Sequence, residues 1–216
     1  MDHTRNRIPA PVVRRLHRYL IRAREMKNAG ESWVSSAGLG NALGLTTSTV
    51  RQDISHLSMS GVSKRGYRIE DLDRSLREVL HSDTIHRSVI VGAGLLGCAL
   101  ALHGELAESA FDVCAVFDKH PRVIGKRVGN LRVRPMKDLK RMVSVRQVDI
   151  GIIAVPARAA QEVADQLVAA GVKGLLNLAY AHVQVPEHVV VVEARFLARL
   201  QEIAYEIRSR SLSGSA

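Results

Sequence analysis

Ser88-Val89-Ile90-Val91-Gly92-Ala93-Gly94-Leu95-Leu96-Gly97 decides how the rest of the chain is read. Its first four residues read as a buried strand, and a glycine turn follows with no spacer. A helical run continues through about Leu106. Next comes a second apolar strand, Phe111 to Phe117, ending at Asp118, 21 residues after Gly97. Strand, glycine turn, helix, strand and acid in this register point to a dinucleotide site, and each part has a mechanical reason. Gly92 permits the tight turn, and Gly94 lets a pyrophosphate approach the backbone. Gly97 lets the helix pack closely on the strand, and the helix N-terminal amides then face the phosphates. Asp118 would accept hydrogen bonds from ribose hydroxyls, which favours NAD over NADP.

The pattern continues outward. Asp149 to Val155 is an apolar strand ending at Pro156, and Ala157 to Ala170 is a helix closed by Gly171. Gly174 to Leu178 and Val189 to Val192 are further strands. The solution that buries them all is α/β, a Rossmann-type doubly wound parallel sheet. The expected cofactor-binding residues are therefore Gly92, Ala93, Gly94, Leu95, Leu96, Gly97, Asp118, Lys119, Val155 and Pro156. Lys119, His120 and Arg122 could accommodate a 2′-phosphate, but Asp118 would repel it.

Charge divides the chain. Of its 216 residues, the first 69 hold 12 Lys and Arg against 4 Asp and Glu, a net of +8 out of a total of +10. Such asymmetry suggests a nucleic-acid module joined to something else. Only 4% of residues are aromatic, too few for a base-stacking platform, so double-stranded DNA is favoured over single strands. Pro11 opens a helix reaching about Asn28. A second helix begins at Ser35-Ser36 and ends at Gly44, and a third starts at Thr46-Thr47-Ser48. Val62 to Ile69 reads as two short strands around a turn. Three helices and a basic hairpin make an N-terminal winged helix-turn-helix, whose third helix enters the major groove. Thr47, Ser48, Thr49, Arg51 and Gln52 would face DNA, since Arg can read guanine and Gln adenine with paired bonds. Lys64, Arg65 and Arg68 would take phosphates, and Ser35 and Tyr67 complete the expected DNA-facing set.

Cys98 and Cys114 have no metal-ligand or CxxC spacing; they suit a reducing compartment and read as packing thiols. No metal site is expected. The N-terminus lacks the apolar core of a secretory signal, and no apolar run reaches membrane-spanning length, so the expected location is cytoplasmic. The expected divisions are 1–80, a DNA-binding domain; 81–192, a nucleotide-binding domain; and 193–216, a C-terminal helix. That helix carries Phe196, Leu197, Leu200, Ile203 and Ile207 on one stripe, which would pack on its own domain or on a second subunit.

With both halves in place, the chain resembles the Rex family of redox-sensing transcriptional repressors. The resemblance rests on Val50-Arg51-Gln52-Asp53-Ile54-Ser55, on Gly92 to Gly97 and on Phe117-Asp118. It rests also on Ala170-Gly171-Val172-Lys173-Gly174-Leu175-Leu176-Asn177 and Val185-Pro186-Glu187-His188-Val189. It implies a homodimer whose last helix is exchanged between subunits, NAD(H) as cofactor, Asn177 beside it, and a palindromic operator released by NADH. Several positions depart from the family pattern. A cross-subunit pair, an arginine late in the first helix and an aspartate opening the last, falls at Ile21 and Arg195. A tyrosine near the nicotinamide falls at His103, and the residues beside Asn177 are Leu178 and Tyr180. The second recognition-helix arginine falls at Gln52, and the wing lysines fall at Val62 and Ser63. The competing reading is a small NAD-dependent dehydrogenase using His103, His182 or His188. No visible constellation supports catalysis by any of them, so no enzyme activity is expected.

Overall fold

Pro11 lies in the first turn of α1 (Ala10–Asn28), where a missing N–H costs no intrahelical bond. The computed structural model describes residues 8–104 and 110–213, and the chain divides into two compact units, Met1–Thr84 and Ile85–Ala216. In the first unit, α1 turns Val12, Leu16, Tyr19, Leu20 and Ala23 inward. Ser35 caps α2 (Ser36–Leu43) by accepting from the Gly38 amide, and Gly44 ends it in a left-handed conformation. Thr46 caps α3 (Thr47–Ile54) in the same way through the Thr49 amide. These are the helices that the cap residues and spacing predict.

The expected two-stranded hairpin at Val62 to Ile69 is different in the structure. Val62 and Gly66 form a single bridge. Tyr67–Arg68 (β2) instead pairs antiparallel with Trp33–Val34 (β1), a strand too short to carry any periodicity. Gly66 makes this possible: it has φ +94° and lies so close to β1 that a Cβ would come within 2.3 Å of the Val34 carbonyl oxygen. Ile69 then starts a fourth helix, α4 (Ile69–Val79), which buries Ile69, Leu72 and Leu76 at helical spacing against the rest of that core.

The second unit is built on a seven-stranded sheet. Its strands are β3 (His86–Val91), β4 (Phe111–Asp118), β5 (Arg127–Val128), β6 (Leu131–Pro135), β7 (Ile150–Ile153), β8 (Gly174–Asn177) and β9 (Val190–Glu193), in the order 5-6-4-3-7-8-9. All pairings are parallel except β5 with β6, an edge hairpin that the sequence did not reveal. One face is covered by α6 (Leu139–Arg146), also not anticipated, and α7 (Ala160–Ala170), over Val89, Val91, Phe117 and Ile153. The other face packs Ile90, Val116 and Ile152 against α5 (Leu95–Ala101). This helix ends at Ala101 with Leu102 as its C-cap, short of the predicted run to about Leu106, and residues 105 and 106 lie outside the described residues.

Among the described residues nothing covers the far part of that second face. A groove of about 720 Å³ runs over Val113, Ile150, Ile152, Leu176, Val190 and Val192. The last helix, α8 (Phe196–Ser213), starts later than Glu193 because that residue still pairs within β9. Phe196, Leu200 and Ile203 on α8 are all more than half exposed. Burial alone offers no reason for such a helix in a lone subunit.

Candidate dinucleotide cleft and DNA-reading face

The sheet order reverses at β3, with β4 on one side and β7 on the other. A switch point of this kind opens a crevice beyond the carboxyl ends of the strands. Here it is a cleft of about 320 Å³, and Gly92, Gly94, Asp118, Lys119, Val155 and Pro156 all line it. Those six belong to the expected set. Gly92 has φ +111°, and a Cβ would meet the Ala154 carbonyl oxygen at 2.3 Å, so this glycine serves the turn. Gly97 serves helix packing, since its Cβ would fall 1.9 Å from the Gly92 carbonyl oxygen. Gly94 differs: its φ is −76° and nothing lies within 4 Å of where its Cβ would be. The fold does not require glycine there. What the missing side chain leaves is a hollow at the N-terminus of α5, which no side chain caps. That hollow fits a pyrophosphate approaching the backbone.

Asp118 is braced from both sides. Its Oδ2 accepts from the Ala93 amide and its Oδ1 from the His120 amide, each at 2.8 Å. Each oxygen keeps a further lone pair for a ribose hydroxyl. Ala93 therefore acts by holding the acid rather than by lining the cleft. Cys98 is half-buried and donates its thiol proton to the Ala93 carbonyl, 3.4 Å away. Cys114 is half-buried as well, and burial pushes its thiol pKa up, against easy thiolate formation.

Several expected contacts fall elsewhere. Leu95 and Leu96 are exposed, and neither they nor Gly97 line the cleft. Asn177 is fully buried, and its amide is spent on its own loop, donating to the Ala181 carbonyl and accepting from the Ala179 amide. It braces the turn after β8. None of His103, His182 and His188 lines the cleft. Conversely, Met136, Glu162 and Gln166 line it and were missed, because α7 and the end of β6 carry no motif that announces them. Among the described residues no group of His, Cys, Asp and Glu could hold a metal ion.

In the first unit, α3 buries Val50, Asp53 and Ile54 and leaves Arg51 and Gln52 exposed. Ser48 is exposed beside them, while Thr47 and Thr49 are half-buried. The Thr46 hydroxyl lies 2.9 Å from that of Ser48 and 2.8 Å from that of Thr49, so those hydroxyls first serve the cap. Asp53 anchors the helix. It accepts from Arg15 Nε at 2.6 Å, from Arg15 Nη2 at 2.7 Å and from the Tyr19 hydroxyl at 2.7 Å. Burial alone would raise the Asp53 pKa, but the bonds from Arg15 and Tyr19 outweigh it and hold the carboxyl below its ordinary range. Ser35 is exposed but already engaged in capping α2. Tyr67 is a correction: it is buried, and its hydroxyl accepts from Ser36 Oγ at 3.2 Å, so it is a core residue without access to DNA. Lys64 and Arg65 are exposed on the turn, whereas Arg68 is ion-paired with Glu70 at 3.0 Å.

Residues 83–181 match the family described as "CoA binding domain", and residues 7–55 match "Putative DNA-binding protein N-terminus". The redox-sensing transcriptional repressor Rex of Carboxydothermus hydrogenoformans is 35% identical over 94% of this chain and 97% of its own. That of Chloroflexus aggregans is 37% identical over 91% and 93%. The chain belongs to the Rex family. Among solved structures, RSP, a Rex-family repressor, superposes with a TM-score of 0.88 at 28% identity, covering 98% of this chain and 99% of RSP. RSP in complex with β-NAD+ and operator DNA gives a TM-score of 0.89 at 29% identity, over 98% and 97%.

Within this Rex-family chain, the departures form a coherent set. Arg195 is ion-paired 2.6 Å from Glu193 of its own chain, and Glu193 also bonds His182 Nδ1 at 2.8 Å. The bond from His182, aided by Arg195, holds the Glu193 carboxyl below its usual pKa. Ile21 stands exposed on α1. At the two positions where the resemblance implies a cross-subunit charge pair, the chain thus holds an exposed apolar side chain and an arginine neutralised by its own Glu193. No helix among the described residues is long and apolar enough to cross a membrane.

Proposed function

We propose that this chain is a cytoplasmic, DNA-binding transcriptional repressor whose second unit binds NAD(H) and which performs no turnover. One observation carries the reading: a single chain holds both a recognition helix, anchored through Asp53 with Arg51 and Gln52 outward, and the Gly94 hollow beside a braced Asp118. Gly94 would admit the pyrophosphate, with Gly92 making the turn that exposes it, and Asp118 would hold the adenine ribose. Arg51 and Gln52 would read base edges while Lys64 and Arg65 meet phosphates. The dinucleotide acts as a ligand that shifts the protein between two states, and hydride chemistry is not needed. Discrimination between its two redox forms requires differential contacts, and the replacement of the family's charge pair by Ile21 and Arg195 removes one such contact.

Fluorescence anisotropy on the protein's own upstream DNA, with NAD+ and NADH added separately, tests this. The expected result is tight binding to that DNA and release by NADH of less than about tenfold, ~1.4 kcal/mol. Sharp release by NADH alone would mean that other residues have rebuilt the redox switch. Absence of dinucleotide binding by calorimetry would overturn the assignment of the cleft.

The bare groove and the exposed α8 point to a dimer in which each subunit lays α8 on the other's sheet. Both surfaces are apolar and both belong to the same unit, so a second copy satisfies them together. An Ile203→Asp, Leu200→Asp variant should sediment as a monomer and bind its DNA at least about a hundredfold more weakly, since two half-sites are no longer read together. A variant that remained dimeric would exclude α8 from the interface.

A further inference from the structure

The chain's single tryptophan lies beneath the wing turn. Trp33 belongs to β1, opposite Arg68 of β2, and is half-buried. The Arg65 guanidinium sits over its ring, with Cζ 4.2 Å from the centroid. The turn that delivers Arg65 is closely set. Val62 and Gly66 form a bridge, Lys64 adopts φ +60° and Gly66 φ +94° against the Val34 carbonyl. Arg65 therefore folds back onto the ring from a defined backbone.

The three wing cations are not equivalent. Glu70 neutralises Arg68. Lys64 is exposed at the tip and, among the described residues, pairs with no carboxylate. Arg65 likewise has no carboxylate partner among them, and its face is covered by Trp33. A guanidinium stacked on an aromatic ring keeps its N–H edges free for an oxyanion, which an ammonium cannot do in the same geometry. Stacking also removes rotamer freedom before the anion arrives, so less is lost on binding. We infer that Trp33 is a positioning residue for DNA: it presents Arg65 to the duplex backbone, and this stack governs what the wing contributes. The inference rests on the DNA-binding reading above and adds a residue outside every motif in the sequence.

Anisotropy over a salt series tests it, using the upstream DNA and a short mixed-sequence duplex. In a two-winged dimer, Arg65→Ala should weaken binding to both duplexes about tenfold and lower the salt slope by about two, one phosphate per wing. Trp33→Leu should give the same loss and the same change of slope, while Trp33→Phe retains most of the wild-type affinity. The double variant Trp33→Leu, Arg65→Ala should be no weaker than Arg65→Ala alone. Arg65→Lys, at an exposed position that does not threaten the fold, keeps the charge but loses the planar stack and should weaken binding at least about threefold.

A tryptophan needed only for folding would lower the melting temperature and leave the salt slope alone. Wild-type affinity in Arg65→Lys, or losses that add fully in the double variant, would overturn the inference. A wild-type protein that binds neither duplex would overturn the DNA-binding reading itself, a result distinguishable from either of those.

Discussion

Gly94→Val is expected to weaken NADH binding at least about a hundredfold, ~3 kcal/mol, with no loss of thermal stability. What surrounds each glycine of the turn decides the outcome. Around Gly94 a Cβ would meet nothing within 4 Å, and the backbone there is in an ordinary extended region. Valine can adopt that conformation, and its Cβ displaces no neighbour. Its two methyls would then fill the hollow at the start of α5, where a pyrophosphate would need contact with the amides. Gly97→Ala is the control. Its Cβ would sit 1.9 Å from the Gly92 carbonyl oxygen, so α5 must move off the sheet. Overpacking of this kind costs about 1–3 kcal/mol, and nucleotide binding is lost with stability. Calorimetric titration with NADH and thermal melting of both variants separate the two outcomes. If Gly94→Val binds NADH like the wild type, the hollow is not the phosphate site. If Gly97→Ala loses no stability, the close packing of helix on turn is not needed.

The same contrast shows why the second unit was legible and where legibility stopped. Val89 to Val91 and Ala115 to Phe117 are buried on both faces, and such runs stand out from any solvated segment. The glycines and Asp118 carry mechanical duties at set spacings, so position alone identified them. By contrast, β5 and β6 form an edge hairpin bearing Arg127, Arg132 and Arg134, with little apolar signal. β1 and β2 are two residues each, too short for any period. Tyr67, close to Lys64, Arg65 and Arg68, reads in sequence as a nucleic-acid contact; its burial depends on pairing with β1 and on Ser36, both remote in sequence. Glu162 and Gln166 reach the cleft from the first turns of α7, and only the sheet order brings that helix there. Asn177 stands at the end of β8, where the resemblance places a cofactor contact, and its amide bonds Ala179 and Ala181.

The anchoring of α3 supplies the second large effect. Replacing Arg15 by methionine should destabilise the first unit by about 2–3 kcal/mol at neutral pH and reduce DNA affinity in parallel. The Asp53 side chain is 2% exposed, and Arg15 gives it two hydrogen bonds. Without Arg15 the carboxylate is left buried with the Tyr19 hydroxyl as its remaining donor. Removing one member of a fully buried pair costs ~3–5 kcal/mol, and the lower figure here reflects an arginine that still touches solvent. The dependence on pH tests the cause. In the wild type the Asp53 carboxyl titrates below its unfolded value of about 4, so the folded state binds the proton less tightly. Its contribution is therefore complete above about pH 5 and is lost as pH falls through the folded pKa. In Arg15→Met, burial dominates and moves the carboxyl the other way, so protonation on acidification relieves the variant. Urea unfolding should show the wild-type advantage at about pH 7 and a markedly smaller one at about pH 3.5. An advantage of the same size at both pH values would mean that Arg15 acts through packing of its aliphatic stem rather than through Asp53. Asp53 lies next to Gln52 and two residues from Arg51 on the same short helix, so loss of the charge pair is expected to disturb the base-reading side chains together with the stability of the unit.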